Sequence, residues 1–412
     1  MRVEPWIALS LALIAATPAG AAASRADVDF CQGDVPDRAI AGCTAVLADR
    51  TESARNRAVA YYNRGLAYRA KGDNDRAIAD HSEAIRLDPK YTRAYIARGG
   101  AYQAKGDYDR SVADYSEAIR LDPKNGSAYN GRGVAYQGKG DNDRAIADYS
   151  EAIRLDPKDP QAVYNRGNVQ KAKGDNDRAI ADYNEAIRLD PKDRDHFYAR
   201  GLAYRAKGET DRAIADFSEA IRLDPKSATS HNGRGNAYLA KGDSDRAIAD
   251  FDEAIRLSPK SGSYYFGRGR AHFAANALAA ALADLGQASE LSPQSAYTAL
   301  WLDIAAQRSG VAGRLPEAIA KIDMTQWPGA VIRLYLGQTT PEAVLAAARD
   351  PNPETQKGRI CEANFYSGAL ALRQGKRDEA VRLYRLAAAD CPRSFFEWAG
   401  AVSELKALGL SP

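Results

Sequence analysis

An arginine and an aspartate recur along this chain at a separation of sixteen residues. Taken alone, Arg64 and Asp80 would suggest acid–base chemistry, because a neighbouring guanidinium sets the pKa of a carboxylate. The same pair returns in register six more times, and the last copy is Arg268 with Asp284. Sevenfold repetition favours a structural ion pair over a catalytic one.

A second cation competes for the aspartate, since an arginine stands four residues earlier on what would be the same helix. The last copy distinguishes the two partners: Ala280 replaces that arginine, yet Arg268 and Asp284 both remain. We therefore expect the pair to join two antiparallel helices. An exposed pair of this kind contributes only about 0–1 kcal/mol.

Other residues that could carry chemistry are few. The four histidines (His81, His196, His231 and His272) lie in different segments without the spacing of metal ligands. The sequence has no GxSxG, Walker, HExxH or CxxC motif. We therefore expect neither enzymatic activity nor a metal or other cofactor.

The recurring pair belongs to a 34-residue period that runs seven times from Ala58 to Ser295. Numbered from Ala58, each repeat has Gly at position 8, usually an aromatic at 11 and 24, mostly Ala at 20 and 27, and Pro at 32. Two helical stretches flank a Lys-Gly-Asp turn, and an Asp-Pro-Lys segment ends the second stretch in most copies. Neither helix can bury its apolar face alone, so the repeats must stack.

This pattern resembles the tetratricopeptide (TPR) repeat. The resemblance implies an all-α fold, a TPR superhelical solenoid of antiparallel helix-turn-helix repeats with atypical helical capping segments. It also implies that the first helix of each repeat lines a concave groove, with positions 2, 5, 9 and 12 pointing inward.

Those positions hold aromatic, basic and amide side chains that suit an extended peptide. The lysine and asparagine pattern of the TPR clamp for a terminal carboxylate is not met, and solvation of an empty groove is the competing interpretation. The predicted groove residues are Tyr62, Arg69, Arg93, Gln103, Tyr164, Lys171, Tyr198 and Arg205.

Outside the seven repeats the pattern changes. We expect short helices at about 296–309, 315–323, 327–336 and 340–350, and a linker near 351–356. The predicted organisation is a signal peptide at 1–23, an N-terminal cap or incomplete repeat at 24–57, seven repeats at 58–295, a divergent helical segment at 296–360, an eighth repeat at 361–394 and a capping helix at 395–412.

The four cysteines flank the two ends of the array. Four cysteines allow three pairings, and we predict Cys31 with Cys43 and Cys361 with Cys391, the latter at the open end of one hairpin. The alternative is four free thiols. Disulfides would require an oxidising compartment.

Residues 1–23 combine an apolar stretch with small residues before Ser24, which is typical of a cleaved signal peptide. No later apolar run is long enough to span a membrane. No cysteine follows the apolar stretch at the cleavage region, so we expect a periplasmic or secreted protein without a lipid anchor. The net charge of +3 is spread over both signs, which argues against nucleic acid as the partner.

The segment WPGAVIRLYLGQTTPEAVLAAA (327–348) and the following Asn364, Phe365, Tyr366 and Gly368 resemble the end of the NlpI-type envelope lipoproteins. That resemblance implies an adaptor that recruits a protease or peptidoglycan hydrolases. Protein or peptide partners are the leading hypothesis, and a homo-oligomer is possible. The alternatives are a structural spacer without a specific ligand, and an enzyme-regulatory domain in 296–412.

Overall fold

The structure is a computed structural model that describes residues 23–313, 315–393 and 395–411. The predicted signal peptide lies outside the described residues except for Ala23. The described residues form helices and no strand, which confirms the predicted all-α class. The chain divides into two compact units, Met1–Leu189 and Asp190–Pro412. They are called the N-terminal block and the C-terminal block, and each is described by itself.

The N-terminal block opens with a short hairpin and continues with four regular repeats, numbered 1 to 4. The hairpin consists of α1 (Arg25–Cys31) and α2 (Pro36–Ala48). The first helices of the four repeats are α3 (Ala54–Ala70), α5 (Thr92–Ala104), α7 (Gly126–Gly138) and α9 (Pro160–Ala172). The second helices are α4 (Asn74–Leu87), α6 (Tyr108–Leu121), α8 (Asn142–Leu155) and α10 (Asn176–Leu189).

The turn inside each hairpin follows from its Lys-Gly-Asp sequence. In repeat 1, Gly72 has a φ of 81°, a conformation that glycine adopts without a steric penalty. The amide N–H of Asp73 donates to the carbonyl of Tyr68, which closes the end of α3. The Asp73 side chain then accepts from the backbone N–H of Arg76 and caps α4. Three residues thus end one helix and begin the next.

Small residues bring the paired helices close together. The alanines at positions 20 and 27, such as Ala145 and Ala152 in repeat 3, are buried. A Cβ atom at Gly133 would lie 2.7 Å from Cε1 of Tyr149, so the tyrosine ring needs the glycine opposite it. Tyr149 itself is fully buried, and burial of a large apolar side chain contributes roughly 1.5–3 kcal/mol.

The C-terminal block continues the pattern through repeats 5 to 7. Their first helices are α11 (Arg194–Ala206), α13 (Ala228–Lys241) and α15 (Gly262–Ala274), and their second helices are α12 (Thr210–Leu223), α14 (Ser244–Leu257) and α16 (Leu278–Leu291). The remaining helices are α17 (Ala296–Arg308), α18 (Leu315–Ala318) with a 3₁₀ turn at Ile319–Lys321, α19 (Gly329–Tyr335), α20 (Pro341–Ala347), α21 (Pro353–Arg373), α22 (Arg377–Asp390) and α23 (Phe396–Ala407).

One expected boundary is wrong. The linker predicted near 351–356 is shorter, because α21 begins at Pro353, eight residues before Cys361. Pro353 occupies the first turn, where a missing N–H is tolerated, and the Asn352 side chain caps the helix. The helices expected at 315–323, 327–336 and 340–350 are also shorter than expected.

The helices between repeat 7 and the last hairpin, α17 to α20, share a core with that hairpin, which consists of α21 and α22. The indole of Trp301 stacks on Phe365 with ring centroids 5.4 Å apart, and Phe273 meets Trp301 edge-on at 5.5 Å. The Tyr335 hydroxyl donates to the Tyr366 carbonyl at 3.1 Å. This core therefore combines stacked aromatic side chains with buried alanines such as Ala305 and Ala369.

Candidate functional site

The recurring arginine crosses its own hairpin to the recurring aspartate. In repeat 1, Nε and Nη2 of Arg64 donate to the two carboxylate oxygens of Asp80 at 2.7 and 2.8 Å. Both side chains are largely shielded from solvent. The same two-point contact joins Arg268 to Asp284 in repeat 7, at 2.8 and 2.6 Å. Each of these two pairs therefore joins the two helices of its own hairpin.

The arginine also reaches back to the preceding hairpin. Nη1 of Arg98 donates to Oγ of Ser82 at 3.0 Å, and Nη1 of Arg132 donates to Oγ of Ser116 at 3.1 Å. In repeat 1 the acceptor is Thr44 of α2, at 3.1 Å. The α2 helix thus takes the place that a second helix holds in a regular repeat, and each of these three arginines links two hairpins.

Within each block, successive first helices contact one another. The side of these helices that carries positions 2, 5, 9 and 12 is called the inner face. In repeat 1 the ring of Tyr62 lies 5.2 Å from the ring of Tyr91, centroid to centroid, and 5.7 Å from that of His81. In repeat 4 Tyr164 packs on Tyr183 at 5.9 Å, and in the C-terminal block Tyr198 packs on Phe217 at 5.6 Å. The predicted groove tyrosines thus form partly buried aromatic platforms.

Two arginines flank the first platform. The charges of Arg93 and Arg69 both act on the Tyr62 hydroxyl, whose pKa is nevertheless raised because burial opposes its ionisation. Both arginines are exposed, and no carboxylate among the described residues lies within salt-bridge distance of either. Gly100 makes room for Arg69, since a Cβ atom there would lie 2.8 Å from Nη1. Tyr62, Arg69 and Arg93 therefore form one cluster.

The other predicted residues lie farther along the same inner faces. Nε2 of Gln103 donates to the Gly131 carbonyl at 3.5 Å, which ties repeat 2 to repeat 3. Tyr164 and Lys171 lie on α9. In the C-terminal block, Arg205 and Tyr198 share α11, and burial lowers the pKa of Arg205 while the Tyr198 hydroxyl opposes that shift.

The sequence reasoning missed Arg270, at position 9 of repeat 7. It is only 4% exposed, and Nη2 donates to Oδ1 of Asn236 at 2.7 Å. Its guanidinium lies 3.7 Å from the ring centroid of Phe396 and 5.0 Å from that of Phe266. Burial lowers the pKa of Arg270 to about 9. An arginine at an inward position was visible in the sequence, but its aromatic cover from α23 was not.

Two buried glutamates were also missed. Oε2 of Glu362 accepts from Nε1 of Trp327 at 2.6 Å and from the Tyr297 hydroxyl at 2.9 Å. Oε1 of Glu397 accepts from the Tyr366 hydroxyl at 3.0 Å. Burial and the charge of Glu397 raise the pKa of Glu362 to about 7. That value would suit a general acid, but Glu362 is only 7% exposed and its bonds fasten the Trp327 segment to the core.

The cysteines lie in the two predicted pairs. The Sγ atoms of Cys31 and Cys43 are 2.13 Å apart, and those of Cys361 and Cys391 are 1.98 Å apart. The first pair joins the end of α1 to α2, and the second joins α21 to the end of α22.

The described part of the chain offers no cluster of three or more histidine, cysteine, aspartate or glutamate side chains arranged to bind a metal ion. Among its helices, none combines the length and the apolar character that a membrane crossing requires. His81 and His196 are buried in helix packing, His231 contacts Asp250, and His272 lies near Asp284.

Four family models, described as TPR repeat or tetratricopeptide repeat, match residues 58–91, 96–160, 149–181, 171–205, 201–242 and 232–296. Together they cover more than half of the chain, in both blocks. The chain therefore belongs to the tetratricopeptide repeat family, whose members serve as protein-interaction scaffolds and whose fold is generally non-catalytic.

Solved structures of the same fold include the Cut9–Hcn1 hetero-tetramer of the APC/C, which is 19% identical, covers 68% of this chain and 54% of that chain, and gives a TM-score of 0.50. A tetratricopeptide repeat protein from Parabacteroides merdae ATCC 43184 is 20% identical, covers 60% of this chain and 97% of that chain, and gives a TM-score of 0.48. MamA is 29% identical, covers 40% of this chain and 96% of that chain, and gives a TM-score of 0.37.

Proposed function

We propose that this TPR protein is an exported adaptor of the bacterial envelope that binds an extended segment of a partner protein along its inner face. The observation that carries the proposal is the cluster of Tyr62, Arg69 and Arg93. It combines an aromatic platform with two cations that lack a carboxylate partner among the described residues. Aromatic rings pack against side chains of a bound peptide, and guanidinium groups hydrogen-bond its carbonyl or carboxylate oxygens.

The envelope location rests on two features of the chain. The leader-like sequence at 1–23 would direct export. The two cysteine pairs lie at bonding distance at opposite ends of the array, which suits an oxidising compartment.

The kind of partner rests on the resemblance of residues 327–348, and of the hairpin that follows, to the NlpI-type lipoproteins. We extend the proposal accordingly: the adaptor brings a protease or a peptidoglycan hydrolase to its substrate. In the structure, Trp327 is hydrogen-bonded to Glu362, and the Asn364–Tyr366 stretch is buried. The residues that carry the resemblance therefore pack in the core of the C-terminal block. Recognition of the partner is therefore assigned to the inner face of the regular repeats.

The test is capture of partners in the native envelope by site-specific photocrosslinking from the inner face, followed by pull-down with a variant carrying Tyr62→Ala, Arg69→Ala, Tyr164→Ala and Lys171→Ala. We expect the variant to lose the captured partner while circular dichroism shows unchanged helicity. A matched control changes Arg86, Arg120 and Arg154, exposed residues of the second helices that pair with glutamates on their own helices. Binding that survives the four inner-face changes would overturn the proposed site.

A further inference from the structure

The charges of the N-terminal block are divided unequally between its two layers of helices. The first helices α3, α5, α7 and α9 contain no aspartate or glutamate. The second helices carry the acidic residues, and in α4 these are Asp75, Asp80 and Glu83. Within the helices of these four repeats, the acidic residues therefore lie on the second helices.

Each carboxylate of α4 has its own cation. Asp80 binds Arg64 across the hairpin, Glu83 pairs with Arg86 at 2.9 Å, and Asp75 pairs with Lys105 of the next repeat. The scheme recurs in repeat 2, where Asp114 binds Arg98 at 2.7 Å and Glu117 binds Arg120 at 2.6 Å. The second helices are thus neutralised by pairs made within and between the hairpins.

Arg69 and Arg93 remain outside this pairing scheme. Arg69 stands at the end of α3 over Gly100, and Arg93 stands in the first turn of α5. Asp88 acts on Tyr91 beside this cluster, and its carboxylate accepts the backbone N–H of Lys90. Asp114, which acts on Tyr115 together with Arg69, is bound by Arg98. The inner face of repeats 1 and 2 is consequently cationic around an aromatic centre.

We propose that the partner segment bound here is an acidic extended peptide, whose carboxylates pair with Arg69 and Arg93 while a neighbouring apolar side chain packs on Tyr62. The inference rests on the proposed function and specifies the chemistry of its ligand. Guanidinium groups favour carboxylates because two parallel N–H groups match the two oxygens. In an extended peptide, side chains alternate between faces, so acidic and apolar residues can be presented to different parts of the cluster.

Selection from a phage-displayed library of random dodecapeptides on the whole protein supplies the probe. We expect the selected peptides to be enriched in glutamate and aspartate. A fluorescein-labelled peptide from the selection is then titrated by fluorescence anisotropy. Arg69→Gln with Arg93→Gln should weaken binding about tenfold, which corresponds to about 1.4 kcal/mol, and should reduce the dependence of affinity on salt.

The control variant carries Arg86→Gln and Arg120→Gln, which remove two exposed positive charges from second helices. It should bind within about twofold of the unchanged protein, since both arginines stand on second helices and pair with glutamates of those helices. Circular dichroism of both variants verifies that the fold is retained.

Three results would overturn the acidic ligand: selected peptides without acidic enrichment, unchanged affinity in the Arg69 and Arg93 variant, or tighter binding of a labelled single-stranded DNA than of any peptide. Failure of this inference differs from failure of the proposed function. If Tyr62→Ala abolishes peptide binding and the arginine changes do not, the groove binds a peptide of another chemistry. If peptide binding survives all the inner-face changes, the groove itself is excluded.

Discussion

The imidazole of His81 packs against Gly65, in the place where other repeats bring an aromatic ring to the same glycine. A Cβ atom at Gly65 would lie 2.6 Å from Cε1 of His81. The ring is fully buried, and neither Nδ1 nor Nε2 finds a hydrogen-bond partner among the described residues. Burial, followed by the charges of Arg69 and Arg98, lowers the pKa of His81 to about 3.

We predict that His81 makes repeat 1 sensitive to acid and that His81→Phe removes this sensitivity. The folded-state pKa lies below the unfolded value of 6.5, so the stability that the neutral ring contributes is present above pH 6.5 and is lost as the pH falls toward 3. Between pH 7.5 and 5.0 the free energy of unfolding should fall by about 2 kcal/mol from this group. Urea unfolding at both pH values measures the loss.

His81→Phe should also stabilise the protein at pH 7.5 by about 1 kcal/mol, because a ring without buried polar atoms replaces one with two unsatisfied nitrogens. Tyr115→Phe is the control, since Tyr115 occupies the equivalent position in repeat 2 and carries no imidazole. It should leave the pH dependence unchanged. Equal acid sensitivity in His81→Phe and in the unchanged protein would contradict the assignment.

The recurring ion pair should stabilise more than the exposed pairs beside it. In repeat 3, Asp148 is mostly buried and binds Arg132 at two points, whereas Glu151 is more exposed and pairs with Arg154 on its own helix. We expect Asp148→Ala to lower the free energy of unfolding by about 2–3 kcal/mol, because it leaves a partly buried guanidinium unpaired. Glu151→Ala should change it far less, because an exposed pair contributes little to stability.

Urea unfolding of Asp148→Ala and Glu151→Ala tests this prediction. A second set comprises Arg132→Met, Asp148→Leu and the double variant that combines these two changes. The double variant should be destabilised by less than the sum of its two single changes, since it leaves no unpaired charge. Equal effects of Asp148→Ala and Glu151→Ala would show that the cross-hairpin geometry adds nothing to stability.

The two cysteine pairs are predicted to be oxidised in the exported protein. Alkylation with iodoacetamide under denaturing conditions should modify all four cysteines after reduction and none before it, as measured by intact mass. The bridge from Cys361 to Cys391 spans 30 residues, so Cys361→Ser with Cys391→Ser should lower the free energy of unfolding by about 3–4 kcal/mol in the chain-entropy model. Equal alkylation with and without reductant would show that the thiols are free.

Repetition explains how much of the fold was predictable. Residues such as Gly72 and Asp73 determine the turn locally, so the same turn can be predicted wherever their sequence recurs. Ala280 in repeat 7 was enough to favour Arg268, across the hairpin, as the partner of Asp284. The candidate cluster was predictable because the repeat numbering places Tyr62, Arg69 and Arg93 at positions expected to face the groove. The contact between Arg270 and Phe396 joins residues far apart in sequence, so the local sequence pattern could not predict it.

The buried carboxylate of Glu362 gives the C-terminal block a pH dependence of the opposite sign. Its folded-state pKa is raised to about 7 from 4.5, by burial first and by the charge of Glu397 second. The stability that the protonated group contributes is therefore complete below pH 4.5 and is lost as the pH rises through 7. Glu362→Gln keeps a carbonyl oxygen for Trp327 and Tyr297 without the charge, so it should stabilise the block at pH 8 by about 2–3 kcal/mol.

At pH 5 the stabilisation by Glu362→Gln should nearly vanish. The urea unfolding curves of this variant and of the unchanged protein should therefore converge. Hydrogen exchange of the α21 amides, followed by mass spectrometry at both pH values, localises the effect to the helix that carries Glu362. Glu362→Ala is the matched comparison: it removes the acceptor as well as the charge, so it should destabilise α21 at pH 5, where the glutamine variant is neutral. If Glu362→Gln instead slows exchange equally at pH 5 and pH 8, the gain comes from packing and not from the carboxylate charge.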